Sequence, residues 1–336
     1  MNFQDLVKIE SHTFYLDVAF NAAKKGSEKL RLERFRSKII KSKSIEIERL
    51  NAISRSLSGS LSNIIKKYPS INSLPEFYQE LITTLLDSDQ IRKALSRLNF
   101  VTQKIPILTN MYRSKIKNST QIDEMNRHRR EYYGRISSLL KDIKEELELL
   151  EIARRELKKF PAIKTNIKTI CICGFPNVGK STLLKKLTGS NVEISAYAFT
   201  TKQLLIGYME LYHHKLQLID SPGVLNRENK ENIIEHQAYL AVKYLADYCL
   251  FVIDITAGSQ YSIKDQMRLF SDLKKRFNKD FIVYISKTDI LEKSKIEEFL
   301  TEFSKNKDTK DDLVFTDTIF LSQEMEKRIK KPDNKY

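Results

Sequence analysis

The chain has 336 residues, three cysteines and a formal net charge of +15 at pH 7. This length leaves room for about two domains with a sizeable core. Three cysteines exclude a disulfide framework and a four-ligand zinc site, and no apolar run reaches the ~18 residues of a membrane span. The first residues also lack the layout of a signal peptide, so we expect a protein of the reducing cytoplasm with no membrane contact.

Charge is unevenly distributed along the chain. Residues 1–160 carry 31 Lys and Arg against 20 Asp and Glu, a balance of +11, whereas residues 161–336 carry 27 against 23, a balance of +4. An excess of this size in one half indicates a polyanionic partner, most often RNA. A basic surface that is merely solvated is the alternative.

The amino-terminal half predicts an all-α bundle. Glycine is rare there, and apolar residues recur at spacings of three and four. Pro69 ends one predicted helix and Pro75 begins the next. Asp87 caps a further predicted helix, which Pro106 is expected to disturb.

A stiff joint is predicted at Phe160-Pro161, because proline restricts the residue before it and no Gly/Ser-rich tract lies nearby. The expected division is therefore a basic helical domain of residues 1–163 and a second domain of residues 164–336.

Two basic segments of the first half have two interpretations each. One long helix is predicted over a run of seven cations: Lys29, Arg31, Arg34, Arg36, Lys38, Lys41 and Lys43. Its exposed face could be solvated or could lie against RNA phosphates. The segment 113–135 interleaves cations with Tyr132 and Tyr133, which could stack on unpaired bases or belong to the helix core.

A phosphate-binding loop follows the apolar strand at residues 170–173. It has the P-loop spacing of glycine, four residues and Gly-Lys-Ser, and it comprises Gly174, Phe175, Pro176, Asn177, Val178, Gly179, Lys180, Ser181 and Thr182. The two glycines let backbone N–H groups approach phosphate oxygens. Lys180 is expected to reach the β- and γ-phosphates, and Ser181 to offer its hydroxyl to magnesium. The helix after the loop points its positive end at the phosphates.

Two further segments predict contacts that depend on the γ-phosphate. Phe199, Thr200 and Thr201 lie in a predicted switch loop, where Thr201 is favoured as a magnesium ligand. Asp220 ends a strand and can hold magnesium through water, and the Gly223 N–H can bond the γ-phosphate. The predicted catalytic residues are Lys180, Thr201 and Gly223. Val224 stands where Ras-type GTPases have a water-orienting glutamine, so slow intrinsic hydrolysis is expected.

Alternating helices and strands after residue 233 predict a doubly wound, mostly parallel sheet. At the end of one strand, Asp289 can accept hydrogen bonds from guanine N1 and N2, and Lys287 can lie under the base. Ser286 replaces the usual asparagine, so one tethering amide is missing. A last strand is predicted at Thr318–Leu321. The backbone of the residues after it, Ser322 and Gln323, could meet guanine O6.

Taken together, these motifs resemble the Obg-like GTPases and, among them, the nucleolar GTP-binding protein family in its short archaeal form. The resembling stretches are Tyr197–Thr201, Asp220–Arg227 and Tyr248–Asp254 and, in the helical half, Tyr68–Ser70, Leu74–Tyr78 and Tyr133–Ser138. The resemblance implies a factor in large ribosomal subunit assembly that binds GTP or GDP, ribosomal RNA and precursor particles. In several related GTPases an asparagine at the place of Asn177 helps to hold potassium, whereas a plain turn residue is the alternative.

The leading hypothesis is a monomeric, slowly GTP-hydrolysing switch whose nucleotide state governs how the helical domain sits on ribosomal RNA. Two alternatives remain. One is an RNA-binding assembly scaffold with a structural nucleotide. The other is an RNA-modification GTPase or a translation GTPase of the Obg or developmentally regulated type. Unequal affinity for the target with GTP and with GDP separates the switch from the scaffold.

Overall fold

The computed structural model describes residues 3–160, 162–164, 166–189, 192–196, 203–211, 214–220, 233–305 and 312–330. The chain divides into two compact units. A helical unit contains Phe3–Leu74 and Ile82–Lys158, and a second unit contains Pro75–Leu81 and the residues from Lys159 onward. The sequence did not predict that Pro75–Leu81 groups with the second half. Within that second unit the buried Tyr78 hydroxyl accepts a hydrogen bond of 2.9 Å from the Ile163 N–H.

Helices account for most of the amino-terminal half. They are α1 (His12–Leu32), α2 (Lys38–Lys67), α3 (Glu76–Leu85), α4 (Ser88–Asn118), α5 (Ile122–Lys141) and α6 (Lys144–Leu157). Side-chain oxygens cap several of them: Ser11 accepts from the Phe14 N–H, Ser37 from the Ile40 N–H and Asp87 from the Gln90 N–H. The prediction of an all-α amino-terminal half is therefore confirmed.

The core of the helical unit follows the spacing of apolar residues. Leu50, Ile53, Leu57 and Leu61 of α2 lie on one face and are buried. Tyr132 of α5 is also fully buried, and its hydroxyl lies 2.9 Å from the Thr109 hydroxyl of α4. Burial raises the pKa of Tyr132 to about 12. Of the two uses open to Tyr132, the structure therefore shows the core one.

Two helix predictions in this half were wrong. The seven cations from Lys29 to Lys43 do not share one helix, because α1 ends at Leu32 and α2 begins at Lys38. Pro106 does not interrupt α4, which runs through it for 31 residues. Pro106 is on the exposed face of α4, where water can solvate the carbonyl that its missing N–H would have bonded.

The second unit is built on a sheet whose described part has seven strands in the order β2-β3-β4-β1-β5-β6-β7. Its strands are β1 (Lys168–Cys173), β2 (Val192–Ala196), β3 (Gln203–Leu211), β4 (His214–Asp220), β5 (Tyr248–Ile253), β6 (Asp280–Ile285) and β7 (Leu313–Phe315). Besides the first part of α3, the described helices of this unit are α7 (Lys180–Thr188), α8 (Ile233–Tyr244), α9 (Ile263–Phe277), α10 (Lys293–Lys305) and α11 (Thr318–Lys330).

The sheet is mostly parallel, as predicted. Strands β4, β1, β5, β6 and β7 run parallel to their neighbours in that series, and β2-β3 and β3-β4 pair antiparallel. Strands β1, β5 and β6 are buried almost throughout, which suits the middle of a sheet covered on both faces. The carboxyl ends of the parallel strands therefore meet at one edge, where open α/β sheets bind ligands.

The last part of the fold differs from the prediction. The last described strand is β7, at residues 313–315, and the predicted strand Thr318–Leu321 is instead the start of α11. The Asp317 carboxylate accepts a hydrogen bond of 2.6 Å from the Ile319 N–H, a contact that favours a helix start. Among the described helices, none combines the length and apolar character that crossing a bilayer requires.

Candidate functional site

The loop between β1 and α7 adopts a phosphate-binding conformation. Gly174 has φ +140°, and a Cβ there would lie 2.6 Å from the Val252 carbonyl oxygen, so only glycine fits. Gly179 has φ +97° and caps α7. Asn177 also has positive φ, 64°, which asparagine tolerates better than most residues. The loop thus presents its backbone at the amino end of a helix.

Lys180 is the first residue of α7 and folds back over the loop. Its Nζ donates a hydrogen bond of 2.9 Å to the Phe175 carbonyl, and the residue is only 7% exposed. Burial lowers the pKa of the Lys180 ammonium, an effect that nearby Asp220 partly offsets. A buried cation with one carbonyl partner retains two N–H donors that can serve a phosphate.

Asp220, at the end of β4, places a carboxylate near Lys180 and the start of α7. The Ser181 hydroxyl donates to its Oδ2 at 2.5 Å, whereas its buried Oδ1 has no hydrogen-bond partner among the described residues. Burial raises the pKa of the Asp220 carboxyl, against the opposing effects of Lys180 and Ser181. An unpaired, buried carboxylate oxygen is costly to maintain unless a ligand completes it.

The donor set here fits magnesium. One serine hydroxyl and one aspartate suit an ion that keeps several waters and is shared with phosphates. The described part of the chain contains no group of three His, Cys, Asp or Glu that could hold a metal by itself. A site completed by a nucleotide agrees with that observation.

Ser286, at the end of β6, links the base side of the site to the phosphate side. Its hydroxyl donates to the Val178 carbonyl of the phosphate-binding loop at 2.6 Å and lies 3.1 Å from the Ile253 carbonyl. The sequence led us to expect a missing tether because the usual asparagine is absent. The structure shows that the serine hydroxyl makes a contact to this loop itself.

Lys287 is bound to an aspartate that the sequence-based analysis did not assign to the site. Its Nζ donates to Asp254 Oδ2 at 2.6 Å, while Asp254 Oδ1 accepts from the Thr256 N–H and hydroxyl. Burial acts to raise the pKa of Asp254, but these hydrogen bonds prevail and the pKa is lowered. Asp289 is exposed in the short 3₁₀ turn Thr288–Ile290, so its carboxylate is accessible to a base.

The segment after β5 supplies contacts that sequence reasoning missed. Gln260 Oε1 accepts a hydrogen bond of 3.1 Å from Asn177 Nδ2, and the Tyr261 ring stacks on Phe175 with centroids 4.1 Å apart. The buried Gln266 donates to the carbonyls of Asp254 and Tyr261. No spacing in the sequence could reveal the contacts of Gln260 and Tyr261 with the loop, because each joins residues more than 80 positions apart.

Comparisons with known proteins agree with this geometry. The family model described as the NOG1 N-terminal helical domain matches residues 3–164, and that of the 50S ribosome-binding GTPase matches residues 169–287. Protein MJ1408 of Methanocaldococcus jannaschii is 36% identical over 77% of this chain and 73% of its own length.

The chain belongs to the NOG1 family of GTPases. Nucleolar GTP-binding protein 1 of Drosophila melanogaster is 35% identical over 69% of this chain but only 36% of its own length. The corresponding protein of Candida glabrata is 28% identical over 89% of this chain and 46% of its own length. The chain thus spans less than half the length of these two nucleolar relatives.

Ser322 and Gln323 do not occupy the place expected of them in this NOG1-family chain. Both lie in the second turn of α11, where backbone N–H groups donate within the helix, so the predicted strand after which their backbone was expected to meet guanine O6 is a helix instead. The Ser322 hydroxyl donates to the Thr318 carbonyl at 2.8 Å. Thr316 directly follows β7, and its carbonyl oxygen lies 3.5 Å from the hydroxyl of Thr288, the residue before Asp289.

The predicted switch residues Phe199, Thr200, Thr201 and Gly223 lie outside the described residues, as does Val224. Their roles stay predictions. The structure does bring other predicted site residues together at the carboxyl edge of the sheet. There the phosphate-binding loop contacts Asp220 through Ser181 and the turn Ser286–Asp289 through Val178.

Proposed function

We propose that the protein is a guanine-nucleotide switch that hydrolyses GTP slowly and acts in assembly of the large ribosomal subunit. The observation that supports this most strongly is the pairing of Ser181 with Asp220 at 2.5 Å, beside a buried Lys180. Asp220 Oδ1 has no hydrogen-bond partner among the residues that the structure describes. This arrangement provides a cation for phosphate and an oxygen pair for a metal at the amino end of one helix.

Each residue then has a separate task. Lys180 binds the β- and γ-phosphates, Ser181 and Asp220 hold magnesium, and Thr201 and Gly223 respond to the γ-phosphate. Magnesium, when bound, supplies charge neutralisation at the phosphate oxygens. Val224 cannot orient or polarise water, so hydrolysis is slow unless a partner or a cation contributes a further group.

Guanine selection is assigned to Asp289, whose exposed carboxylate accepts from N1 and N2. Lys287 positions its aliphatic stem against the base while Asp254 holds its ammonium. The backbone at Thr316 and Asp317 replaces Ser322 and Gln323 as the candidate for guanine O6, because these two residues directly follow β7.

The helical residues 1–163 are assigned to RNA, and residues 164–336 to the nucleotide. The family that matches the second half is named for 50S ribosome binding, and two relatives are named nucleolar GTP-binding proteins. The excess of basic residues in the first half supports a polyanionic target. A ribosomal RNA or a precursor particle is such a polyanion, and the chain is proposed to bind it as a monomer.

Fluorescent GDP binding tests the proposal. Purified protein with magnesium should bind labelled GDP, unlabelled GTP should displace it, and ATP should not. Lys180→Ala should weaken binding by about tenfold or more, since hydrogen bonds to charged groups contribute ~1.5–3 kcal/mol. Absence of guanine-nucleotide uptake, or equal displacement by ATP, contradicts the proposal. The unfolding temperature of nucleotide-free Lys180→Ala serves as the control for folding.

A further inference from the structure

One end of the helical unit joins the two basic segments of the sequence. Lys43, near the start of α2, donates a hydrogen bond of 2.6 Å to the carbonyl of Lys117, near the end of α4. The connection between α1 and α2 therefore lies beside the end of α4. Residues 29–43 and 113–117 are called the basic end below.

Cations at the basic end greatly outnumber acids. They are Lys29, Arg31, Arg34, Arg36, Lys38, Lys41, Lys43, Arg113, Lys115 and Lys117. Glu33 is the only acid within the two stretches. None of these cations forms a salt bridge within the part of the chain that the structure describes.

Three of these cations have a structural use. Lys41 Nζ donates to the carbonyls of Arg31 and Glu33 at 2.6 and 3.1 Å, and Lys43 does the same for Lys117. Both contacts satisfy carbonyls at helix ends, where cations are favourable. Lys115 lies 4.8 Å from the centroid of the Tyr112 ring. Stabilisation of the fold explains these three.

Stabilisation of the fold does not explain Arg34, Arg36 and Lys38. The two arginines lie in the connection, and Lys38 is the first residue of α2, where the helix dipole disfavours a cation and no acid is present in the first turn. All three are exposed. Like charges held this close raise the energy of the free protein, and a polyanion would relieve that repulsion.

Two residues in the α5 part of the segment 113–135 are committed to the fold. Arg129 donates to the buried Glu46 at 2.9 Å, and Tyr132 is fully buried. Neither residue is available to nucleic acid. The cations of the segment 113–135 that stay accessible are Arg113, Lys115 and Lys117 at the basic end and, in α5, the exposed Arg127, Arg130 and Arg135.

We propose that the basic end is the RNA-binding surface of the helical unit, and that it contacts the phosphate backbone of a folded RNA. This rests on the proposed function and specifies the surface that carries it out. Leu32 is 89% exposed at the same place, and Ile39 and Ile40 are exposed beside it. Apolar side chains within a cationic surface suit sugars and unstacked bases, which lie between phosphates.

A pair of matched variants tests the surface. Arg34→Gln with Arg36→Gln and Lys38→Gln removes three charges at the basic end. Lys66→Gln with Lys67→Gln and Lys141→Gln removes three exposed charges at the far ends of α2 and α5. Since α2 has 30 residues, the two sets lie about 45 Å apart along it. The probe is a fluorescein-labelled RNA hairpin, measured by anisotropy between about 50 and 200 mM KCl.

The basic-end variant should bind the hairpin about tenfold or more weakly, and its slope of log affinity against log salt should fall by about three. The far-end variant should stay within about twofold of the wild type. Arg113→Gln with Lys117→Gln should also weaken binding, because α4 shares the surface. Circular dichroism melts of each variant exclude unfolding as the cause.

Equal losses in both matched variants would indicate a net-charge effect and overturn the assigned surface, as would no loss in either. A basic-end variant that lost binding only to phosphatidylglycerol vesicles would assign the surface to anionic lipid instead. If the wild type binds GDP but shows no salt-dependent affinity for the hairpin, the proposed RNA function itself fails.

Discussion

Two carboxylates with opposite surroundings show how this chain separates stability from ligand binding. Glu151, in the helical unit, accepts four hydrogen bonds, from the Ile9 N–H, twice from Arg154 and once from Arg155. Asp220, in the second unit, accepts one hydrogen bond from Ser181, and its other oxygen is buried with no hydrogen-bond partner in the part of the chain that the structure describes. Both side chains are mostly buried.

The pKa values move in opposite directions for this reason. The Arg154 contact, with the Ile9 N–H and Arg155, lowers the pKa of Glu151 from 4.5 to about 2 despite the effect of burial. Burial raises the pKa of Asp220, because Lys180 and Ser181 compensate its charge only in part. A carboxylate that the protein completes stabilises the fold, whereas one that it leaves incomplete is available to a ligand.

Among the variants that test this comparison, Asp220→Asn should have the largest effect on ligand binding. The variant should lose about ten- to a hundredfold in magnesium-dependent GDP affinity, because a charged ligand contact is worth ~1.5–3 kcal/mol. Its nucleotide-free form should be at least as stable as the wild type, since an uncompensated buried charge is removed. Titrations with magnesium and with EDTA, together with thermal melts, measure both quantities. A destabilised free protein would show that Asp220 is structural.

Glu151→Gln should do the reverse, because it should lower the stability of the fold and leave ligand binding unchanged. The free energy of unfolding should fall by about 1–3 kcal/mol at neutral pH, because two arginines lose their charged partner. GDP affinity should not change. Urea unfolding and labelled-GDP titration are the measurements, and Glu148→Gln, at an exposed site, is the control.

The pH dependence of stability follows from the same pKa. The lowered pKa of Glu151 gives a contribution that is complete above its ordinary value of 4.5 and is lost as pH falls toward about 2. Over that window the difference in melting temperature between the wild type and Glu151→Gln should shrink. A constant difference from pH 6 down to pH 3 would contradict this origin of the stability.

Ser286 offers a smaller test of how the phosphate and base sides are joined. Ser286→Ala removes the hydroxyl bonded to the Val178 carbonyl and should weaken GDP binding by about fivefold, as a loss of ~1 kcal/mol predicts. Ser286→Asn restores a donor and should bind at least as well as the wild type. If alanine and asparagine behaved alike, the tether would have no role in affinity.

Potassium is expected to have the smallest and most specific effect. Asn177 Nδ2 is bonded to Gln260, which leaves the amide oxygen as the end that can bind a cation. Steady-state GTP turnover should be faster in potassium than in sodium, and Asn177→Ala should remove the difference without preventing GDP binding. Equal rates in the two salts for the wild type would end the potassium hypothesis.

Local sequence was enough for the parts of the site that are contiguous in the chain. The loop from Gly174 to Thr182 is readable because each position has a backbone or side-chain requirement that few residues meet. The buried strands and the amphipathic helices around it follow from apolar spacing. The wrong prediction at Thr318–Leu321 arose because a short apolar run has no clear period, and only the neighbouring Asp317 cap indicates a helix.

The sequence by itself determined a helical half, a mostly parallel sheet and a phosphate-binding loop, because these depend on periodicity and on residue types at fixed spacing. Only the tertiary structure decided that Ser181 meets Asp220, that Ser286 reaches the phosphate-binding loop and that Lys43 reaches the end of α4. These pairs lie between 39 and 108 positions apart in the chain. Their contact depends on how strands and helices pack, which no local pattern encodes.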